Sequence, residues 1–316
     1  MLAHSSGLVF VPDWSSTGGV SVISSSGKCT SLLSTNTKQP VRPNGIALEP
    51  DGNFLLAHLG DTGGGVFRLT PDGKLSSVVT HANGAPLPPT NFVTTDTRER
   101  LWITVSTTKS PRALDYRATA NSGFIAVAEP GESNARIVAN DLGYTNECFI
   151  DTEQSAVYVN ETFARRLSRF ELADDGSLSN KSTVTEFAEG TYPDGVTMDE
   201  ENYFWISSIV SNRIIRVSPS GEQTLMFEDS DPAFVREAEL AFQSNRMGAE
   251  HLGSTGNATM KNTSSIAFGG PDRTKAYIGN LLGDCIHCIG TSVTGKSPVH
   301  WGTPLGYLES FVESWG

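Results

Sequence analysis

Five times in this chain of 316 residues an Asn or Asp opens a short apolar run that leads into a second, strand-like run. The segments are Pro43-Asn44-Gly45-Ile46-Ala47-Leu48, Thr90-Asn91-Phe92-Val93, Thr145-Asn146-Glu147-Cys148-Phe149-Ile150, Pro193-Asp194-Gly195-Val196 and a looser Asn262-Thr263-Ser264-Ser265-Ile266-Ala267-Phe268. In the first four an acid follows five residues on, at a turn: Glu49, Asp96, Asp151 and Asp199. The strand after the turn carries Phe54-Leu55-Leu56, Leu101-Trp102-Ile103, Val157-Tyr158-Val159 or Phe204-Trp205-Ile206. A unit that recurs every ~50 residues and holds several strands predicts an all-β fold, a β-propeller. Equivalent positions in successive blades then point at one axis, so oxygen-bearing side chains there meet around one spot.

Chains of this length in closed all-β folds are often one domain. The expectation is a single six-bladed propeller over residues 1–316, with a helical cap insertion at about 231–252. Turn pairs at Asp51-Gly52, Asp72-Gly73, Asp175-Gly176 and Ser220-Gly221 separate strand-like runs. The hydrophobic content of 38% suffices for a packed core. A net charge of −12, with no basic run, argues against a nucleic-acid partner. No stretch approaches the ~20 apolar residues of a membrane helix, and the first residues have neither the basic start nor the apolar core of a signal peptide. A reduced, cytoplasmic protein is expected, monomeric or a small homo-oligomer.

Four cysteines are present: Cys29, Cys148, Cys285 and Cys288. Cys285-Ile286-His287-Cys288 looks like half a zinc site, but residues three apart on a strand face opposite sides, and the pair reads as incidental. Sequons at Asn160, Asn180, Asn257 and Asn262 carry nothing without secretion.

Blade two reads as Gly45–Leu48, Phe54–Leu59, Gly65–Leu69 and Leu75–Thr80. Blade three runs from Asn91 to about Gly143 with an excursion at Thr107–Asn121, blade four from Asn146 to about Ala188, and blade five from Asp194 to about Phe227. Blade six starts near Asn262. Residues 7–34 supply three strands without an innermost one, so one terminus is expected to complete the blade of the other. Between blades five and six, Asp231 as N-cap, Pro232 at the first helical position and apolar residues at 234, 235, 238, 241 and 242 predict a helix over 232–243.

The phrases Arg42-Pro43-Asn44-Gly45-Ile46-Ala47-Leu48, Tyr158-Val159-Asn160-Glu161-Thr162, Tyr192-Pro193-Asp194-Gly195-Val196 and Ser265-Ile266-Ala267-Phe268-Gly269-Gly270 run through nearly the whole chain. In these the sequence resembles the SMP-30/gluconolactonase/luciferin-regenerating-enzyme family. The resemblance implies a six-bladed propeller with one divalent cation near the mouth of the channel, in enzymes that open sugar lactones or cleave organophosphates. It implies that Asn146 and Asp194 are metal ligands and that Asn91 sits beside the metal, touching substrate or a ligand water. A further ligand, a Glu about nine residues before Gly7, would fall upstream of Met1. The family's Arg and Asp flanking the Asn91 position are replaced by Pro89 and Phe92, which implies a more apolar pocket.

Amide carbonyl and carboxylate oxygens suit a hard cation: calcium first, with zinc, magnesium and manganese also accepting such ligands. The expected activity is a metal-dependent lactonase, in which Asp194 or the metal activates water against a polarised carbonyl. The expected partner is a small lactone or ester. A phosphotriesterase-like hydrolase on the same metal, a strictosidine-synthase-like condensing enzyme and a non-catalytic binding propeller are the competing readings. The alternative to the metal site for Asp194 and Asn146 is a turn start, which their recurrence argues against; Asn44, in a stronger turn phrase, is with Glu147 and His58 a candidate pocket residue. Serine-hydrolase chemistry is not expected, since no Gly-x-Ser-x-Gly elbow is present. Glu161, Arg165 and Arg166 read as a surface salt-bridge group.

Overall fold

Alternate residues of the second strand in blades two to five enter different cores, and this explains the unbroken apolar runs. Phe54 and Leu56 pack with Phe10, Val20 and Val22 on one side. Leu55 and Ala57 pack with Val93, Leu101 and Ile103 on the other. Trp102 likewise joins Val157 and Val159, and Trp205 joins Ile266, Phe268 and Ile278. A strand covered on both faces has no polar side to alternate with.

The computed structural model describes residues 1–306, 308 and 309. Among them six sheets form a six-bladed β-propeller. Blade one comprises Leu2–Ala3, Val9–Asp13, Gly19–Ile23 and Cys29–Leu33, and blade two Pro43–Leu48, Phe54–His58, Val66–Leu69 and Leu75–Val79. Blade three comprises Phe92–Thr95, Leu101–Val105, Gly123–Ala128 and Asn134–Leu142. Its outer edge is extended by the hairpin His81–Ala82 and Ala85–Pro86, with Asn134 paired to His81. Blade four comprises Thr145–Asp151, Ala156–Glu161, Arg166–Leu172 and Leu178–Glu186. Blade five comprises Tyr192–Met198, Phe204–Ile209, Arg213–Val217 and Gln223–Glu228, and blade six Thr263–Gly269, Lys275–Asn280 and His287–Gly290.

Ring closure differs from expectation. Blade one makes its own innermost strand from Leu2 and Ala3, paired with Phe10 and Val9. Among the described residues, no strand from one end of the chain joins the sheet of the other. The ring closes instead by packing of Leu2–Ala3 against the innermost strand of blade six.

The four turn acids lie at the end of the inner strands opposite Asn44, Asn91, Asn146 and Asp194, and they brace blades. Asp96 accepts from the Trp102 indole N–H at 2.9 Å and from Arg100 Nε at 2.7 Å. Asp199 repeats this with Trp205 at 2.9 Å and Arg216 at 2.8 Å. Glu49 holds Arg68, and Asp151 takes Lys296. Buried carboxylates bonded this fully are anchors for the next strand.

The helix α1, Pro232–Gln243, follows blade five, and a four-residue turn of helix, Ala249–Leu252, follows it. Asp231 caps α1 through the N–H groups of Ala233 and Phe234. Its inner face sets Ala238 and Phe242, with Phe234 and Ala241, against Tyr192, Ile209 and Phe163. Glu239, on the same face, accepts from Gly190 N–H at 2.8 Å and from Arg165.

Candidate functional site

Asn44, Asn91, Asn146 and Asp194 stand at or just before the start of successive inner strands, and they meet. Asn44 Nδ2 donates to the Asn91 backbone carbonyl at 2.8 Å and to Asn91 Oδ1 at 3.2 Å. Asn91 Nδ2 donates to Asn146 Oδ1 at 2.7 Å. Asn146 donates to Thr162 Oγ1 at 3.0 Å, and its side chain helps to hold down the proton affinity of the Asp194 carboxylate. Asn91, Asn146 and Asp194 retain only 4%, 6% and 8% of their surface. A hydrogen-bonded line of three amides, with the Asp194 carboxylate next to it, therefore spans four blades.

What aims Asn44, Asn146 and Asp194 is a break in register at the start of their strands, whereas the strand after Asn91 pairs without one. Pairing jumps between Pro43 and Ile46, between Thr145 and Cys148, and between Pro193 and Val196. The residues inside the jumps are Asn44-Gly45, Asn146-Glu147 and Asp194-Gly195. Such bulges re-aim side chains and recur next to functional sites. Strict alternation would have sent Glu147 away from Asn146, whereas the bulge leaves it close enough to raise the proton affinity of Asp194. Gly45 and Gly195 are close-approach residues, not turn formers. A Cβ on Gly45 would lie 2.6 Å from Phe92 Cα, and one on Gly195 would lie 2.7 Å from Ser265 Cα. Gly195→Ala should therefore cost about 1–3 kcal/mol by overpacking backbone against backbone. Urea unfolding checks this, and a midpoint equal to that of the parent would refute the close-approach role.

The electrostatics are those of a buried acid pair. Burial, and then the charge of Glu147, raise the Asp194 pKa well above the carboxylate range, with Arg112, the Asn146 side chain and the Met1 α-amine opposing. Burial pushes Glu147 up to about 7, against the pull of the Met1 amine and of a 3.1 Å bond from Val196 N–H. Asp194 has no ion-pair partner within 4 Å among the described residues. A buried carboxylate without a counter-charge binds either a proton or a cation. No group of three or more His, Cys, Asp or Glu side chains is assembled among the described residues. A cation would instead draw on the amide oxygens of Asn91 and Asn146 and on Asp194, with Glu147 adjacent. That all-oxygen set fits a hard divalent ion. Beyond Glu147 the channel opens into a cavity of about 280 Å³ lined by Phe149, Ile266 and Val299 among others.

His58 is not drawn into this group. Its Nδ1 accepts from Arg42 N–H at 3.0 Å and its ring packs edge-on against Phe67. The cluster Glu161, Arg165 and Arg166 is not a surface group: Glu161 is fully buried, and Arg165 lies over Phe242 and Tyr192 at 4.2 and 4.7 Å. The four cysteines are free.

Three contributors were missed by the sequence reading. Thr162 Oγ1 accepts from Asn146 and donates to the Pro193 carbonyl at 2.8 Å, while Asn160 Nδ2 donates to the Asp194 and Gly195 carbonyls at 3.0 and 3.1 Å. Both lie in the phrase Tyr158–Thr162, which carried the family resemblance but not this role. Arg112, on the excursion of blade three, had no motif at all. Its guanidinium lies over the Tyr144 ring at 5.7 Å, within an aromatic layer of Tyr116, Tyr144, Phe163, Tyr192 and Phe242 that runs to α1.

Known proteins share these blades. The SMP-30/Gluconolactonase/LRE-like region matches residues 90–228. A 6-deoxy-6-sulfogluconolactonase of Pseudomonas putida is 25% identical over 180 residues, which are 56% of this chain and 57% of that protein. The match thus spans little more than half of that relative's length. Among solved structures, luciferin-regenerating enzyme superposes with a TM-score of 0.65 at 17% identity, covering 95% of this chain and 93% of that one. A calcium-binding protein, regucalcin, from Agrobacterium tumefaciens strain C58 gives 0.64 at 18% identity, covering 95% and 91%. The blades that carry Asn91, Asn146 and Asp194 are the ones that match the SMP-30/gluconolactonase/LRE-like region.

Proposed function

We propose that this protein is a lactone hydrolase that opens a cyclic ester at the end of the propeller channel, with one divalent cation held by Asn146, Asp194 and Asn91. The observation that carries this reading is the buried line of Asn91, Asn146 and Asp194, in which a carboxylate lacks a counter-charge. The likeness to a sulfogluconolactonase over part of the chain supports the substrate class. When bound, a divalent cation supplies polarisation of the ester carbonyl and a lowered pKa for water.

The protein's own residues do the positioning. Thr162 holds Asn146, and Asn44 holds Asn91, so that both amide oxygens are fixed before substrate arrives. Asp194 is held through its backbone carbonyl by Asn160, and its carboxylate accepts the proton of the attacking water. The aromatic layer and α1 keep bulk water from one side of the site.

Purified protein should open five- or six-membered lactones, lose roughly 10²-fold or more of that rate after dialysis against a chelator, and regain it with a divalent ion. Calcium is the first ion to add, because the regucalcin that shares this fold is described as calcium-binding. A panel of such lactones left unopened with calcium, magnesium, manganese and zinc in turn would defeat the reading.

A further inference from the structure

We propose that Arg112 anchors an anionic oxygen substituent of the substrate, such as a carboxylate on the lactone ring, through a guanidinium that the protein leaves without a carboxylate partner. This inference rests on the hydrolase reading and names its substrate class. Arg112 opens a short 3₁₀ turn, Arg112–Asp115, in the excursion between two strands of blade three. The turn is pinned from inside: buried Asp115 accepts from Thr107 Oγ1 at 2.6 Å and from the Ser122 hydroxyl. Lys109 N–H in turn donates to Thr107 Oγ1 at 2.9 Å.

The pinned turn lays the half-buried guanidinium over the ring of Tyr144, two residues before Asn146 in the chain. The Tyr144 ring is itself fixed by Tyr116 and Phe163 at 5.4 and 4.7 Å. Elsewhere in the interior, arginines are matched: Arg100 with Asp96, Arg165 with Glu239, Arg166 with Glu161 and Arg216 with Asp199. Arg112 has no ion pair within 4 Å among the described residues, although its charge is felt by Asp194. A planar fork of donors, held rigid and uncommitted beside a site, matches the two oxygens of a carboxylate. Its stack on Tyr144 is compatible with that role, since cation–π contact leaves the guanidinium edge free. The competing reading is that Arg112 only clamps the turn onto Tyr144.

The test compares γ-valerolactone with the same ring bearing a carboxylate in place of the methyl group. The parent protein should prefer the carboxylate lactone in kcat/KM. Arg112→Met should lower that value by about 10–100-fold, mainly through KM, against a smaller loss on γ-valerolactone, which feels only the charge removed near Asp194. Arg112→Lys should recover part of the loss, and Arg112→Gln replaces the Met variant should thermal melting show it unfolded. Equal losses on both lactones, or no loss, would overturn the anchor in favour of the clamp. If neither lactone is opened, the hydrolase reading fails separately, and both compounds are then intact ligands for calorimetry. Tighter binding of the carboxylate lactone, removed by Arg112→Met, would still uphold the anchor; binding that is absent or independent of Arg112 would overturn it.

Discussion

Asp194→Ala should lower the rate of lactone opening by at least about 10²-fold in a protein that still folds. The substitution deletes the carboxylate in the Asn91–Asn146–Asp194 line, and with it the group assigned to take the proton of water. The fold should survive, because Asp194 is tied into its strand by its backbone: Asn160 donates to its carbonyl, and Ser207 Oγ accepts from the next N–H at 2.9 Å. Asp194→Asn is the informative companion. It keeps the shape but removes the charge, so it should be nearly as inactive as the alanine variant. Asn91→Ala should do less harm, since it removes a neutral amide already satisfied by Asn44 and Asn146. Initial rates on any lactone the parent opens, with circular dichroism as the fold control, decide the matter. Undiminished hydrolysis by folded Asp194→Ala would sink the site.

The largest effect on stability is expected at Glu161, the residue that sequence placed on the surface. It accepts from Arg166 at 2.9 and 2.7 Å, from Ser168 at 2.5 Å and from Gly143 N–H at 2.6 Å, and pairs with Lys181 at 2.8 Å. Removing one member of a buried ionic group strands the others, so Glu161→Ala should cost about 3–5 kcal/mol, read from urea unfolding. Burial alone would raise this carboxyl, but the bonds from Arg166, Lys181, Ser168 and Gly143 outweigh it and hold the pKa near 2, against an ordinary 4.5. A depressed folded-state pKa stabilises fully above the unfolded value. The contribution of Glu161 is therefore complete above about pH 4.5 and fades as pH falls through about 2. The parent should lose stability across that window more steeply than Glu161→Gln. Parallel acid curves for the two would show that the carboxylate is not the source.

Much of the fold was legible because it rests on local chemistry. Apolar runs of strand length, Asp-Gly turns and a repeat of Asn or Asp at strand starts marked blades two to six to within a few residues. Asp231-Pro232 marked the start of α1 because an N-cap acceptor and a residue without an N–H are both local requirements of a helix end. Leu2–Ala3 escaped notice because two residues carry no periodicity. The surface reading of Glu161 failed because a carboxylate followed by arginines has the same spelling whether solvent or protein surrounds it.

The recurrence of Asn44, Asn91, Asn146 and Asp194 was determined by the sequence alone, and so was the choice of oxygen over sulfur or imidazole as the chemistry of the axis. Their convergence was decided by the tertiary structure. A bulge turns Asn44, Asn146 and Asp194, and Gly45 and Gly195 let neighbouring strands come within backbone contact, distances set by packing between blades and not by neighbours in the chain. The same holds for Arg112, brought to Tyr144 and towards Asp194 by an excursion whose pin, Asp115, is an unremarked acid in the sequence. Local patterns specify which groups a strand presents. Burial and the long-range approach of unlike segments fix the field those groups experience, because solvation and charge act through space and are indifferent to sequence order.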